Sequence, residues 1–96
     1  MKEYYVYILT NKRKSVLYVG VTNDVTRRYF EHLTKQDTDS FTAKYCLNVL
    51  VYVESCKSIE EAIAREKQLK KWNRQKKFDL IATINPDMNN LADGLS

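Results

Sequence analysis

Ninety-six residues suffice for one compact domain with a single hydrophobic core, so any reactive site and any binding surface must share it. With 44% hydrophobic and 29% charged residues, two Gly and one Pro, the composition excludes collagen-like, low-complexity and disordered chains. The net charge of +4 is modest but unevenly spread, because residues 65–77 hold Arg65, Lys67, Lys70, Lys71, Arg74, Lys76 and Lys77 against Glu66 alone. Such a block can neutralise phosphates, although basic helix surfaces are also common without a ligand.

Residues 4–10 (YYVYILT) and 16–20 (VLYVG) are rich in strand formers and flank the polar segment Asn11 to Ser15, which predicts a hairpin. Thr22, Asn23 and Asp24 then offer N-cap side chains for a first helix over 25–35, with Val25, Tyr29 and Leu33 at helical spacing. A polar loop over 35–40 leads to the β-branched run Leu47 to Glu54, which reads as a central strand. Ser58 and Glu61 form a capping-box pattern for a helix over 59–71, and a basic helix is expected from about Asn73 to Thr83. Pro86 stops regular helix. The expected fold is α/β of the α+β type: a three-stranded antiparallel sheet flanked by helices, order β-β-α-β-α-α. The domain should span 1–86, with 87–96 a loosely ordered tail.

No apolar run approaches the roughly 18 residues of a membrane span, and nothing reads as a signal peptide, so a cytoplasmic protein without a membrane partner is expected. Cys46 and Cys56 lack metal-site spacing and read as reduced, half-buried packing residues.

Three constellations carry chemical interest. On the 59–71 helix, Ile59, Ala62, Ile63 and Leu69 make an apolar stripe with Glu66 near its centre. A carboxylate there must find a cation, protonate or face a wet cleft; an ion pair with Lys70 and a hard-metal site are the two readings. On the first helix, Val25, Arg28, Tyr29 and His32 share one face, which stacks Arg28 and His32 one turn apart. On the strands, Tyr5, Tyr7 and Leu9 alternate onto one face and Val16, Tyr18 and Gly20 onto another, so two tyrosines can meet across the hairpin. Gly20 permits an unusual turn or a close approach where the second strand hands over to the helix. Packing alone commonly explains such tyrosines, and a solvated position such a histidine. No phosphate loop, nucleophile triad or acidic cluster competes.

Tyr5-Val6-Tyr7 and Tyr18-Val19-Gly20, ten residues apart, resemble the half-motifs of the GIY-YIG nucleases, with Tyr5 in place of the first Gly. Arg28, His32 and the Glu of Arg65-Glu66-Lys67 follow in the family's order, and Phe41 to Tyr45, Leu50 to Glu54 and Glu66 to Trp72 are similar to small stand-alone bacterial members. The resemblance covers roughly residues 4 to 86.

It implies a metal-dependent endonuclease acting on DNA. Tyr7 or Tyr18 would orient or deprotonate the attacking water, with His32 able to relay the proton. Arg28 would stabilise phosphoryl charge, and Glu66 would hold a single Mg²⁺ or Mn²⁺ ion. A guanidinium and a Lewis acid act where phosphodiester cleavage develops charge, whereas a free tyrosine, with a pKa near 10, needs help from nearby cations. Arg27, Lys44, Lys70, Lys71, Arg74, Lys76 and Lys77 are the expected nucleic-acid contacts. Where some relatives carry a lysine after the second half-motif, Val21 stands here, and a late family asparagine matches Asn85 better than Asn89 or Asn90. The alternative is a nucleic-acid-binding module of little activity that depends on a protein partner; least favoured is a protein-interaction domain with structural tyrosines. A domain this small has little surface for reading bases, so selection by nucleic-acid shape or by a partner is expected.

Overall fold

The computed structural model describes residues 3–33 and 45–94. Strand β1 (Tyr4–Thr10) lies between β2 (Leu17–Thr22) and β3 (Val49–Cys56), antiparallel to both. The helices are α1 (Val25–Leu33), α2 (Ile59–Lys71) and α3 (Arg74–Ala82), followed by a 3-10 turn at Leu91–Gly94. The expected α+β class and element order hold.

The sheet is covered on both faces, which divides its side chains by strand parity. Val6, Ile8 and Val19 pack with Val51, Tyr52, Ala62, Leu69 and Ile81 beneath α2 and α3. Tyr7 and Leu9 pack with Tyr29, Leu47 and Leu50 beneath α1. In α2 only Ala62 and Leu69 are buried; Ile59 and Ile63 stay partly in solvent, so the apolar stripe is narrower than its sequence suggests.

Local capping agrees with the sequence. Arg27 N–H donates to Asp24 Oδ1 (3.0 Å), Glu61 N–H to Ser58 Oγ (3.1 Å) and Lys76 N–H to Asn73 Oδ1 (2.8 Å), which satisfies first-turn amides of α1, α2 and α3. The reciprocal bond of the α2 box is displaced by one residue, since Glu61 Oε2 accepts from Lys57 N–H at 2.9 Å.

Three expectations need correction. The run Leu47 to Glu54 is not the central strand: β1 is, and β3 is an edge. Its apolar character follows from cover on both faces, and its bulge is sealed by side chains. Opposite Ile8 and Leu9 the register skips Val51; there Asn85 Nδ2 donates to Val51 O (3.0 Å) and Asn90 Oδ1 accepts from Leu50 N–H (3.0 Å). For the same reason residues 87–94 are not a loose tail: Leu91 and Ala92 pack beside Tyr29 and Leu50, and Asn90 also donates to Tyr29 Oη at 3.3 Å. Cys46 is exposed rather than half-buried, while Cys56 is intermediate; both are free thiols.

Candidate active site

The register sets Tyr7 opposite Gly20 and Leu9 opposite Tyr18, so both tyrosines stand diagonally on the sheet face beneath α1, ring centroids 6.2 Å apart. Gly20 owes its place to Tyr7 rather than to a turn. A Cβ there would fall 2.5 Å from Tyr7 Cζ and Oη, so the bare backbone is the floor on which the ring lies. Gly20 has no positive φ.

Helix α1 supplies the other partners from one face. His32 Nε2 is 3.1 Å from Tyr7 Oη in a buried contact, and the imidazole stacks edge-on to Tyr18 at 5.6 Å between centroids. Arg28 Nε–H donates to the same Tyr7 Oη at 3.4 Å. With Arg28 donating, the bond runs from Tyr7 O–H to His32 Nε2 when the imidazole carries its proton on Nδ1. Tyr7 and His32 are 3% and 7% exposed, yet Arg28 opens onto a cleft of about 370 Å³ lined by Tyr4, Val21, Thr22, Arg27, Glu31 and Ile59. A buried phenol is thus connected to solvent through a guanidinium.

Sequence reasoning overlooked Glu31. Its carboxylate meets Arg28 Nη1 at 3.2 Å and Arg27 Nε at 3.9 Å, holding both arginines at the cleft. The i, i+3 and i, i+4 spacings were the available signal.

Glu66 lies on a different element. Ile59, at the start of α2, meets Arg28 and Glu31 in the cleft beside Thr22, and Arg74, just beyond the end of α2, bonds to the carbonyls of Lys14 and Ser15 before β2. Helix α2 therefore runs antiparallel to β2. At about 1.5 Å per helical residue against about 3.4 Å per strand residue, Glu66 falls level with Tyr18 and Val19. Arg65 reaches Glu54 of β3, which turns Glu66, one residue further round the helix, toward the β2 flank. Glu66 is 22% exposed, and its ion pair is with the more exposed Lys70 at 3.6 Å. The acid sits in a wet position, not in a dry core, and stands outside the hydrogen-bonded group around Tyr7.

Among the described residues no three His, Cys, Asp or Glu side chains group as a metal cage. A single half-exposed carboxylate does fit Mg²⁺, which commonly keeps several waters and takes one or two carboxylates together with substrate phosphates.

The basic residues divide. Lys70 and Lys71 are exposed on α2, and Arg27 is held at the cleft by Glu31. Arg74 is committed to Lys14 O and Ser15 O (both 2.6 Å), Lys76 lies over the Trp72 ring at 4.3 Å, and Lys77 is half-buried. Arg74 and Lys76 are partly structural. Asn85 belongs to the β3 seal: it is 4% exposed, with Val51 O, Asn89 O and Asn89 N–H as its partners. Lys44 lies outside the described residues.

The sequence model of the GIY-YIG catalytic domain matches residues 3–79. The chain belongs to the GIY-YIG family. The superfamily is of the endonuclease type, and small stand-alone relatives share most of this GIY-YIG chain. A UPF0213 protein of Staphylococcus saprophyticus is 34% identical over 85% of this chain and 98% of its own length. Another, from Staphylococcus haemolyticus, is 37% identical over 84% and 96%. The solution NMR structure of a UPF0213 protein from Bacillus halodurans superimposes with a TM-score of 0.56 at 30% identity, covering 98% of both chains.

Proposed function

We propose that this GIY-YIG protein is a metal-dependent endonuclease that hydrolyses phosphodiester bonds in DNA, selecting by nucleic-acid structure rather than by sequence. The observation that carries the reading is the convergence of Arg28 and His32 on one phenolic oxygen, Tyr7 Oη, beside a cleft edged by β2.

In this reading the scissile phosphate enters at Arg28, whose guanidinium exchanges part of its contact with Glu31 for a non-bridging oxygen. Tyr7 Oη orients the attacking water and takes its proton while passing its own to His32 Nε2. Tyr18 walls the other side of the imidazole and keeps that nitrogen aimed at Tyr7. Glu66, released from exposed Lys70, would hold one Mg²⁺ or Mn²⁺ ion, which supplies Lewis-acid stabilisation of the phosphoryl and leaving oxygens. Lys70 and Lys71 offer charge for the flanking backbone.

A binding module of little intrinsic activity, completed by a protein partner, is the second reading. It is favoured by the Glu66–Lys70 pair, which occupies the proposed metal ligand.

Incubation with supercoiled plasmid and branched DNA in Mg²⁺, Mn²⁺ or EDTA, wild type against Glu66→Ala, tests both. Nicking that requires the metal and disappears in Glu66→Ala is expected. Metal-dependent nicking that survives the substitution removes Glu66 from the reading, and salt-sensitive binding without any cutting favours the second one.

A further inference from the structure

We infer that the turn joining β1 to β2 is a second phosphate-backbone contact, and that a bound strand runs along the outer edge of β2 from the cleft at Arg28 to Lys12 and Arg13. This rests on the nuclease reading and extends it to the path of the substrate.

Charge segregation is the first support. Two stretches, residues 4–23 and 67–78, contain no Asp or Glu, yet they hold nine of the sixteen Lys and Arg residues. Seven basic and all twelve acidic residues lie elsewhere, so the rest of the chain is net acidic. The +4 total conceals a strongly positive surface.

The fold joins the two stretches. Arg74, at the start of α3, donates from Nη1 to Ser15 O and from Nη2 to Lys14 O, each at 2.6 Å. This fork docks the turn against the α2–α3 junction and keeps the arginine's charge there. Lys12, Arg13 and Lys14 thereby become neighbours of the end of α2, where Lys70 and Lys71 are exposed.

The turn is also preformed. Lys14 N–H donates to Asn11 O (2.9 Å), Ser15 N–H to Asn11 Oδ1 (2.8 Å), and Asn11 Nδ2 to Ser15 Oγ (2.7 Å). Lys14 adopts a left-handed φ of 57°, which the asparagine lock makes tolerable. Backbone order is therefore already in place when a ligand arrives, leaving the side chains of exposed Lys12 and Arg13 to be ordered.

Arg13 is five residues from Tyr18, at most about 17 Å in extended chain. At about 3.4 Å per base-pair step, the turn therefore lies within about five steps of the Tyr18 end of the site.

The test is fluorescence anisotropy with a labelled 20-base-pair duplex in EDTA across a salt series, comparing wild type, Lys12→Ala/Arg13→Ala and Lys57→Glu. Both variants lower the net charge by two, but Lys57 lies in neither acid-free stretch. The double variant should weaken binding and reduce the slope of log K against log salt by about 1.8, the value for two lost phosphate contacts. Lys57→Glu should leave the slope near that of wild type. Hydrolysis of bis(4-nitrophenyl) phosphate with Mn²⁺, which is too small to reach the turn, should be unchanged in the double variant. Equal losses in the two variants, or no loss in either, would overturn the proposal while leaving the nuclease reading standing. Absence of wild-type binding would overturn the proposal, and the nicking assay on branched DNA with metal then decides the nuclease reading separately.

Discussion

Two tyrosine networks built from similar residue types flank the central sheet, and they are wired differently. On the α1 face, Tyr7 Oη lies between an imidazole nitrogen and a guanidinium N–H, with the carboxylate of Glu31 one step removed behind Arg28. On the α2 face, Tyr52 O–H donates directly to Glu54 Oε1 at 2.6 Å, and Arg65 clamps that carboxylate through Nε and Nη2. The second network borders a cleft of about 660 Å³, larger than the one at Arg28. Cleft size alone does not make the second network the better candidate. A phenol bonded to a carboxylate is fixed as a donor, and burial followed by Glu54 pushes the Tyr52 pKa up to about 12. A phenol between a base and a cation can give up a proton in one direction and receive a hydrogen bond from the other.

Removing the cation should separate the networks most. Arg28→Ala is expected to reduce phosphodiester cleavage roughly 10²–10³-fold, the effect of deleting one oriented donor at a developing charge. Tyr52→Phe should leave cleavage near wild type. Rates on a nicking substrate, with melting curves as a folding control, measure the contrast, and comparable losses in both variants would erase the distinction between the networks.

Gly20→Ala attacks the floor of the first network. The new Cβ must displace a Tyr7 ring already held by His32 and Arg28, because ideal geometry leaves 2.5 Å between them. Overpacking of this kind commonly costs about 1–3 kcal/mol, and a domain of this size loses about 4–8 °C of Tm per kcal/mol. A lower Tm together with impaired cleavage is expected; an unchanged Tm and rate would mean that the ring is not fixed over Gly20.

Asn90→Ala tests how the β3 edge holds α1. It leaves Leu50 N–H unpaired and removes the bond to Tyr29 Oη, an expected loss of about 1–3 kcal/mol read by denaturant unfolding. Asn90→Asp, which keeps the acceptor for Leu50 N–H, should recover most of it.

The legibility of these features in sequence follows how local their causes are. Caps at Asp24 and Ser58 and the stacking of Arg28 with His32 depend on spacings of three or four residues, and the structure has them. The Tyr7–Tyr18 encounter required only strand alternation. Strand order was not legible, because an edge strand sealed by Asn85 and Asn90 from more than thirty residues away has the composition of a central one. Asn85, matched to a late family asparagine by resemblance, has its side chain satisfied at the β3 seal. Arg74 and Lys76 read as charge for a ligand, whereas carbonyls across the fold and a neighbouring ring engage them. Composition gives sign, but tertiary contact decides which charges remain free to turn outward.

The smallest expected effect concerns the alkaline limb of stability. Because the Tyr52 pKa in the folded protein lies above its ordinary value of 10, its contribution is fully present below pH 10. Between pH 10 and about 12 the unfolded chain ionises this phenol while the folded chain does not, so stability falls as pH rises through that window. Tyr52→Phe should flatten this part of the profile and delete one phenolate step near pH 12 from an absorbance titration. Glu54→Gln should move that step downward by removing the charged acceptor, although burial keeps it above 10. If the phenolate step near pH 12 survives in Tyr52→Phe, the locked phenol belongs elsewhere, and the comparison between the two faces loses its second half.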